Sequence, residues 1–237
     1  PPPVEINAGV NLDVEGFAGT EINAPLTLHA GSTLTVGNNE QNGLSGTGTL
    51  SRDNGPITVN IHSANTFAGT QLTPSFIRPG DRLLLSVSDI VNLHALNPAA
   101  TYVVASNISQ SEDLNLDGGT LDFQPFSSGL SISGPGILRV GAGGATLFGP
   151  GLTAQRAVWT IANPIVAAGA ITIGATDTTT FIGHGAVFLT GSNALNAVTV
   201  EYAYLGADDP SSLAGASLTL NNALLFLNDA QQADPAA

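Results

Sequence analysis

Three residue types are missing from this chain of 237 residues: cysteine, methionine and lysine. Without cysteine there is no disulfide framework, no thiolate nucleophile and no cysteine-based zinc site. Without lysine there is no Schiff-base chemistry and no phosphate-binding lysine of the P-loop type. The basic residues are five arginines: Arg52, Arg78, Arg82, Arg139 and Arg156.

Positive charge is scarce, because five arginines stand against eighteen acidic residues and leave a formal net charge of −13. A chain of this sign without a basic cluster is repelled by nucleic-acid phosphates and by anionic membrane surfaces. No apolar run reaches the ~18 residues of a membrane span. We therefore expect no nucleic-acid partner and no membrane insertion by this chain.

The chain begins with Pro1-Pro2-Pro3 instead of methionine. This start predicts either a removed leader or a piece of a longer chain. A removed leader implies an extracellular or cell-surface location. The absence of cysteine fits that location, and it also fits many cytosolic proteins.

Short alternating segments run through most of the chain, with 28 glycines between and around them. Leu26-Thr27-Leu28-His29, Ile57 to His62, Leu114 to Asp117 and Ile171-Thr172-Ile173 put aliphatic residues on one face and polar residues on the other. Hydrophobic residues make up 43% of the chain, enough for a sizeable core. The pattern predicts an all-β protein.

A motif of small residues followed by Thr and Leu recurs in this pattern. Its copies lie at residues 30–34, 46–50, 117–121, 134–138, 143–147 and 214–220. Neighbouring leucines are 16 residues apart at Leu34 and Leu50, 17 apart at Leu121 and Leu138, and then only 9 apart at Leu147. Short strands with frequent glycine corners predict a coil of β-rungs.

Residues 44–73 are the most regular stretch. Leu44-Ser45-Gly46-Thr47-Gly48-Thr49-Leu50 is followed by Ile57-Thr58-Val59 and then by Ala64-Asn65-Thr66-Phe67-Ala68-Gly69-Thr70. This order resembles the repeat of bacterial autotransporter passenger domains, although Ser63 replaces the usual glycine and residues 51–55 replace the usual corner. The resemblance implies a right-handed parallel β-helix exported to the cell surface.

We therefore predict a right-handed parallel β-helix with residues 1–237 in a single domain. About 20–25 residues per rung would give roughly ten rungs. The alternative is a β-sandwich, which would need more hairpin turns than the three dipeptides at Asn42-Gly43, Asn54-Gly55 and Asp117-Gly118 supply.

Residues 79–107 depart from the alternating pattern and are predicted to form an irregular lateral excursion of the coil. Asp89 is placed to cap a short helix that ends at Asn97-Pro98. The segment from Tyr102 to Ala105 then predicts a return to strand. A junction between two sub-domains is the alternative.

The sequence motifs that could indicate a catalytic site are weak. Gly183-His184-Gly185 resembles a tripeptide of β-helical pectin hydrolases, but the paired carboxylates Asp208 and Asp209 follow the histidine, whereas that family has them before it. The lysine of that family's site is also missing. His29, His62 and His94 have no partner at short metal-ligand spacing. We predict no enzymatic activity, no catalytic residues and no cofactor.

Acidic residues offer oxygen ligands for calcium at two places. Glu112, Asp113 and Asp117 form one group, and Asp13 and Glu15 form the other. Neither group matches an EF-hand loop or a calcium-binding nonapeptide repeat. A solvated outer face is the favoured interpretation, so we predict no metal site.

The aromatic residues are few and are predicted to lie in the core, not on a sugar-binding platform. Tyr202 and Tyr204 are assigned to the same strand face as Val198 and Val200, and Trp159 stands among aliphatic residues.

These features favour a non-enzymatic extracellular protein with a structural or adhesive role. No amphipathic capping helix is evident at either end, so the ends are predicted either to join parts of a longer chain or to pair with other subunits. If the chain is whole, head-to-tail stacking of copies into a filament is predicted. The predicted partners are therefore further copies of the chain or other surface components. Two alternatives stay open: a polysaccharide-active hydrolase or lyase, and a secreted or phage carbohydrate-binding module.

Overall fold

The computed structural model describes residues 2–13, 23–36, 47–62, 74–123, 129–149, 158–175, 186–208 and 210–227. Its described strands, numbered in chain order, are β1 (Val4–Ile6), β2 (Asn11–Asp13), β3 (Leu26–Leu28), β4 (Thr33–Val36), β5 (Leu50–Arg52), β6 (Thr58–Ile61), β7 (Arg82–Leu85), β8 (Thr101–Val104), β9 (Ile108–Ser109), β10 (Leu114–Leu116), β11 (Gly119–Phe123), β12 (Ser131–Ser133), β13 (Leu138–Val140), β14 (Ala145–Gly149), β15 (Val158–Ile161), β16 (Ile165–Ala167), β17 (Ile171–Ala175), β18 (Ala186–Leu189), β19 (Ala197–Glu201), β20 (Tyr204–Ala207), β21 (Ser217–Asn221) and β22 (Leu224–Leu227). Short 3₁₀ helices lie at Pro74–Phe76, Leu93–Ala95 and Pro210–Leu213.

These strands form four sheets. The main sheet has ten strands in the order β2-β4-β6-β7-β8-β11-β14-β17-β19-β21. The N-terminal sheet contains β1-β3-β5, the middle sheet β10-β13-β16, and the C-terminal sheet β22-β20-β18-β15-β12-β9. Every strand pairing among the described residues is parallel. The fold is therefore a parallel β-helix, and the β-sandwich alternative is wrong, because a sandwich is built from antiparallel strands.

Each turn of the coil adds one strand to the main sheet. Within the main sheet, the distance along the chain between paired residues ranges from 19, between Tyr102 and Leu121, to 27, between Ile173 and Val200. Parallel strands need such long connections, since a tight turn can join only antiparallel neighbours. The register is set by the aliphatic residues, because a slip of one residue would turn the buried face outward.

One column of side chains forms the centre of the core. It runs through the main sheet in strict register and consists of Leu34, Val59, Leu83, Tyr102, Leu121, Leu147, Ile173 and Val200. All eight have 0% exposure. One continuous core of buried residues extends from Ile6 to Leu205, and Trp159 packs in it with its ring centroid 5.9 Å from that of Phe123. The prediction of a core position for Trp159 is confirmed.

The recurring motif marks the corners of the coil. Leu34, Leu121 and Leu147 all belong to the buried column, whereas Leu50 pairs in the N-terminal sheet and Leu138 in the middle sheet. The motif therefore starts strands at two different corners of the turn. The 17 residues from Leu121 to Leu138 and the 9 residues from Leu138 to Leu147 together make one turn of the coil, because Leu121 pairs with Leu147.

Glycine is required at one such corner for two separate reasons. Gly118 has a φ of 76°, a left-handed conformation that residues with a side chain rarely adopt. A Cβ on the next residue, Gly119, would stand 2.2 Å from the carbonyl oxygen of Pro98 on the preceding rung. The pair thus turns the chain and lets two rungs approach closely.

The segment 79–107 contributes two regular rungs, because β7 and β8 pair with each other in the main sheet. The irregular part lies between them. The predicted helix capped by Asp89 is wrong: the helical residues are only Leu93–Ala95, and Asp89 accepts a hydrogen bond from the Ser111 amide instead (2.9 Å). Positive φ angles at Asp89 and Asn92 (55° and 61°) interrupt a right-handed helix before it can extend.

The assignment of Tyr202 and Tyr204 to the strand of Val200 is also wrong. Tyr202 has a φ of 49° and forms a corner, after which Tyr204 begins β20 in another sheet. Tyr204 is buried in a small cluster with Ala186 and Phe188, separate from the main core. Its ring meets that of Phe226 edge-on at 5.7 Å.

Candidate functional site

The residues that were considered for a hydrolase site, and not predicted as one, are only partly within the described structure. His184 and Asp209 lie outside the described residues, as do Arg156, Glu15 and the stretch from Ala64 to Thr70 that best matches the passenger repeat. Asp208 is exposed directly after β20.

The acidic group around β10 does not converge on a common point. Glu112 Oε2 lies 2.9 Å from His94 Nδ1. Asp113 accepts from the Ile137 amide (2.9 Å) and from the Arg139 Nε (2.6 Å). These two hydrogen bonds, first the one from Ile137, keep the pKa of Asp113 below its usual value. Asp117 accepts from the Gly143 amide (2.6 Å). Within the described ranges, no group of three His, Asp or Glu residues is placed to hold a metal ion.

A groove of about 330 Å³ runs along the outside of the middle sheet. Asn115, Arg139 and Val166 stand side by side across it, because they occupy paired positions of β10, β13 and β16. Asp117 lies at its rim. The groove therefore combines an amide, a guanidinium and a carboxylate with apolar wall residues, and sequence reasoning missed it because its members come from three rungs.

A second groove of about 250 Å³ lies at the neighbouring corner. It is lined by small residues and two threonines: Gly118, Gly119, Ala142, Gly143, Gly144, Ala145, Thr146, Ala170 and Thr172. None of these described lining residues has an ionisable side chain.

Three ionisable side chains stack on the N-terminal sheet. His29 follows β3, with Glu5 on the preceding rung and Asp53 on the following one. His29 Nδ1 lies 2.8 Å from Asp53 Oδ2, and Nε2 lies 2.8 Å from Glu5 Oε2. These contacts, first the one with Asp53, raise the pKa of His29 above its usual value and lower the pKa of Asp53 below its own. The spacing of 24 residues between successive members is the sequence signal that could have found this group.

A buried ion pair joins β5 to the corner before β7. The side chains of Asp81 and Arg52 are 0% and 2% exposed. Asp81 accepts from both terminal nitrogens of Arg52 and from the amides of Ile57 (3.0 Å) and Arg78 (2.7 Å). Arg52 also donates to the carbonyl oxygens of Phe76 (3.0 Å) and Gly55 (2.8 Å). The pair has no open side for a ligand and is part of the framework.

The last described rung exposes inward-pointing side chains at the C-terminal end of the core. Leu220 and Leu227 point inward, since they pair with the buried residues Val200 and Ala207, yet they are 42% and 45% exposed. Strands β21 and β22 are the edges of the main and C-terminal sheets. This surface, called the C-terminal face below, exposes apolar side chains, and no other strand among the described residues pairs with its outer edge.

The first rung forms a comparable surface at the other end. Val4 points inward, because it pairs with the buried Leu26, and is 43% exposed. Strands β1 and β2 are the edges of the N-terminal and main sheets. This surface is called the N-terminal face below. The main sheet thus reaches both ends of the described structure with an edge strand.

The sheets and their register define the class of this protein as a parallel β-helix. Compared with known proteins, the chain matches no protein-family model, no curated protein and no solved structure. The resemblance of residues 44–73 to a passenger repeat therefore stays a prediction.

Proposed function

We propose that this protein is a non-enzymatic structural or adhesive rod of the cell surface, whose copies stack head to tail. The observation that carries the proposal is the exposure of inward-pointing leucines on the C-terminal face. Covering a leucine of this kind contributes roughly 1.5–3 kcal/mol when burial is complete. An open edge strand adds backbone hydrogen bonds to any partner strand that pairs with it.

A second copy of the chain is the occupant that fits the C-terminal face. Its β2 is the opposite edge of the same main sheet, so pairing of β21 with β2 would continue that sheet in parallel. In that arrangement Leu12 of the second copy would extend the inward-facing column of the main sheet, since Leu12 pairs with the buried Leu34 within its own copy. A head-to-tail contact that does not close into a ring produces a filament.

The location outside the cell belongs to the same proposal and is supported by the passenger-like repeat of residues 44–73. Among the described residues, none forms a helix long and apolar enough to cross a membrane. Protease treatment of intact cells, followed by detection of the chain, tests the location directly.

Substitution of Leu227 by aspartate tests the stacking. Leu227→Asp puts a charge on the inward side of β22, so we expect it to abolish self-association. Leu224→Asp is the matched control, because Leu224 lies on the same strand with 44% exposure but points to the outside, beside Tyr204 in register. Sedimentation velocity at several concentrations measures the association of both variants and of the parent protein.

The expected result is a concentration-dependent polymer for the parent protein and for Leu224→Asp, and a monomer for Leu227→Asp. Circular dichroism checks that the monomeric variant keeps its strand content. A parent protein that remains monomeric at high concentration contradicts the proposal. Equal loss of association in both variants contradicts the proposed geometry.

The groove beside Arg139 supports a second candidate, a carbohydrate-binding surface. Arg139 and Asn115 offer hydrogen-bond donors next to apolar wall residues, the combination that a sugar with polar edges and apolar faces requires. Asp117 is the one carboxylate among the described residues that line this groove, whereas glycoside hydrolysis uses two. Binding to a glycan array that is lost in Arg139→Gln would favour this candidate.

A further inference from the structure

The Glu5, His29 and Asp53 side chains form a bridge across three successive rungs. Strand β1 carries Glu5, His29 follows β3, and Asp53 follows β5. Each ring nitrogen of His29 lies 2.8 Å from a carboxylate oxygen, one on each side. The side chains are one-third to one-half exposed, so protons exchange freely with solvent.

The protonation state of His29 decides whether both contacts can exist as hydrogen bonds. A carboxylate can only accept, and a neutral imidazole carries one N–H and one bare nitrogen. The neutral ring can therefore donate to Glu5 or to Asp53, and its other nitrogen then faces a carboxylate oxygen with no proton between them. The imidazolium donates to both.

We propose that His29 is a proton-operated clamp that fastens the first rung of the β-helix to the second and third rungs. The proposal is independent of the stacking described above, because it concerns the attachment of β1 within one chain.

Of the two contacts of His29, the surroundings make the one with Glu5 weaker than the one with Asp53. On the Asp53 side, the guanidinium groups of Arg78 and Arg52 both donate to the Asp53 carbonyl oxygen (2.7 and 3.3 Å), and Arg78 also reaches Asn54 (3.2 Å). On the side of β1, Glu5 is the charged group that meets the ring, and β1 is the edge of its sheet. Loss of the proton therefore loosens β1 first.

The direction of the pH effect follows from the pKa of His29, which is raised above 6.5. The clamp is complete below the ordinary histidine value and is lost as the pH rises through the higher value of the folded protein. The pKa of Asp53 is lowered below 3.8, so the contact between His29 and Asp53 persists to pH values under the ordinary aspartate value. The clamp therefore opens as the pH rises through the raised pKa of His29.

Hydrogen exchange of the full chain tests the clamp. Dilute protein is compared at pH 5.5 and pH 8, after correction for the intrinsic pH dependence of exchange, and protection is read on peptides that cover residues 2–13. The Val4 amide is a direct reporter, because it donates to the Pro25 carbonyl oxygen of the second rung (2.9 Å). We expect protection to be about two- to fivefold higher at pH 5.5, the size typical of exposed ion pairs.

The variant His29→Gln should remove this pH difference, because glutamine does not ionise in that range. His94→Gln is the matched control: His94 also contacts a carboxylate, that of Glu112, but on a distant rung, so the pH difference at residues 2–13 should persist. In Glu5→Gln the NMR titration of His29 should move toward the ordinary histidine value.

Any one of three results overturns the clamp. One is a pH difference at residues 2–13 that survives in His29→Gln. The second is an NMR titration of His29 at or below 6.5 in the parent protein, and the third is a titration that Glu5→Gln leaves in place. If His29→Gln does not fold, the Glu5→Gln titration still decides, because it reads the interaction without removing the histidine.

Discussion

The buried charge of Asp81 is satisfied by four hydrogen-bond donors that converge from three parts of the chain. Arg52 is equally enclosed, with the ring of Phe76 5.6 Å from its guanidinium carbon. Such a pair adds little stability compared with well-packed apolar residues, but removing one partner leaves an uncompensated buried charge. The pair therefore fixes how the corner before β7 meets β5.

Asp81→Asn should be strongly destabilising for this reason. We expect the free energy of unfolding to fall by about 3–5 kcal/mol, since Arg52 would remain charged and buried. Asp113→Asn is the matched control, because Asp113 also pairs with an arginine, Arg139, in a half-exposed position. There the expected loss is below about 1 kcal/mol. Urea unfolding followed by circular dichroism measures both values, and equal losses would contradict the interpretation.

At the scale of elements, the strands of the main sheet place residues at equivalent inward-facing positions, but the positions differ in how many neighbouring rungs cover them. The column from Leu34 to Val200 is fully enclosed, because each member has a neighbour on the rung before and on the rung after it. Leu220 continues the column at the edge, with a neighbour on one side only. In such arrays, stability is approximately a sum of each repeat and its contacts with adjacent repeats.

Leu83→Ala and Leu220→Ala should therefore lower the free energy of unfolding by different amounts, although they remove the same atoms. Leu83 is fully buried between Val59 and Tyr102, so we expect a loss of about 2–5 kcal/mol. Leu220 is 42% exposed, so a smaller loss is expected, because a large part of its side chain already contacts water. Denaturant unfolding of dilute, monomeric protein measures the two losses. Similar values would show that the column is not the source of the core's stability.

At the scale of the whole molecule, two properties act against each other. The apolar C-terminal face favours association, whereas a net charge of −13 makes copies repel one another. Repulsion between like-charged molecules is long-ranged at low ionic strength, while apolar contact acts only at the joint.

Salt should therefore promote the proposed stacking. Raising sodium chloride from about 10 mM to about 150 mM shortens the screening length from about 30 Å to about 8 Å, so polymers should form at lower protein concentration. Light scattering over a dilution series measures this shift. Leu227→Asp should show no response, and polymers that dissociate on adding salt would indicate that charge attraction, instead of apolar contact, holds the copies together.

The sequence by itself determined the class of fold and most of its strands. Alternation at Leu26 to Leu28, at Leu114 to Leu116 and at Ile171 to Ile173 predicted β3, β10 and part of β17, because a strand displays successive side chains on opposite faces. The repeated glycine motif predicted the corners. It could not predict which corner each copy occupies, so the period appeared irregular until the register was known.

Only the tertiary structure decided which distant residues meet. The Arg52–Asp81 pair, the His29 clamp and the groove of Asn115, Arg139 and Val166 each join residues of different rungs. Paired residues of successive rungs lie from 18 residues apart, at Ala186 and Tyr204, to 29 apart, at Ser131 and Thr160, so no single period in the sequence assigns all of these neighbours. The positive φ angles at Asp89 and Tyr202 redirect segments that local patterns had assigned to a helix and to a single strand. Local chemistry thus specifies the strands of this protein, whereas stacking distance and register specify its sites.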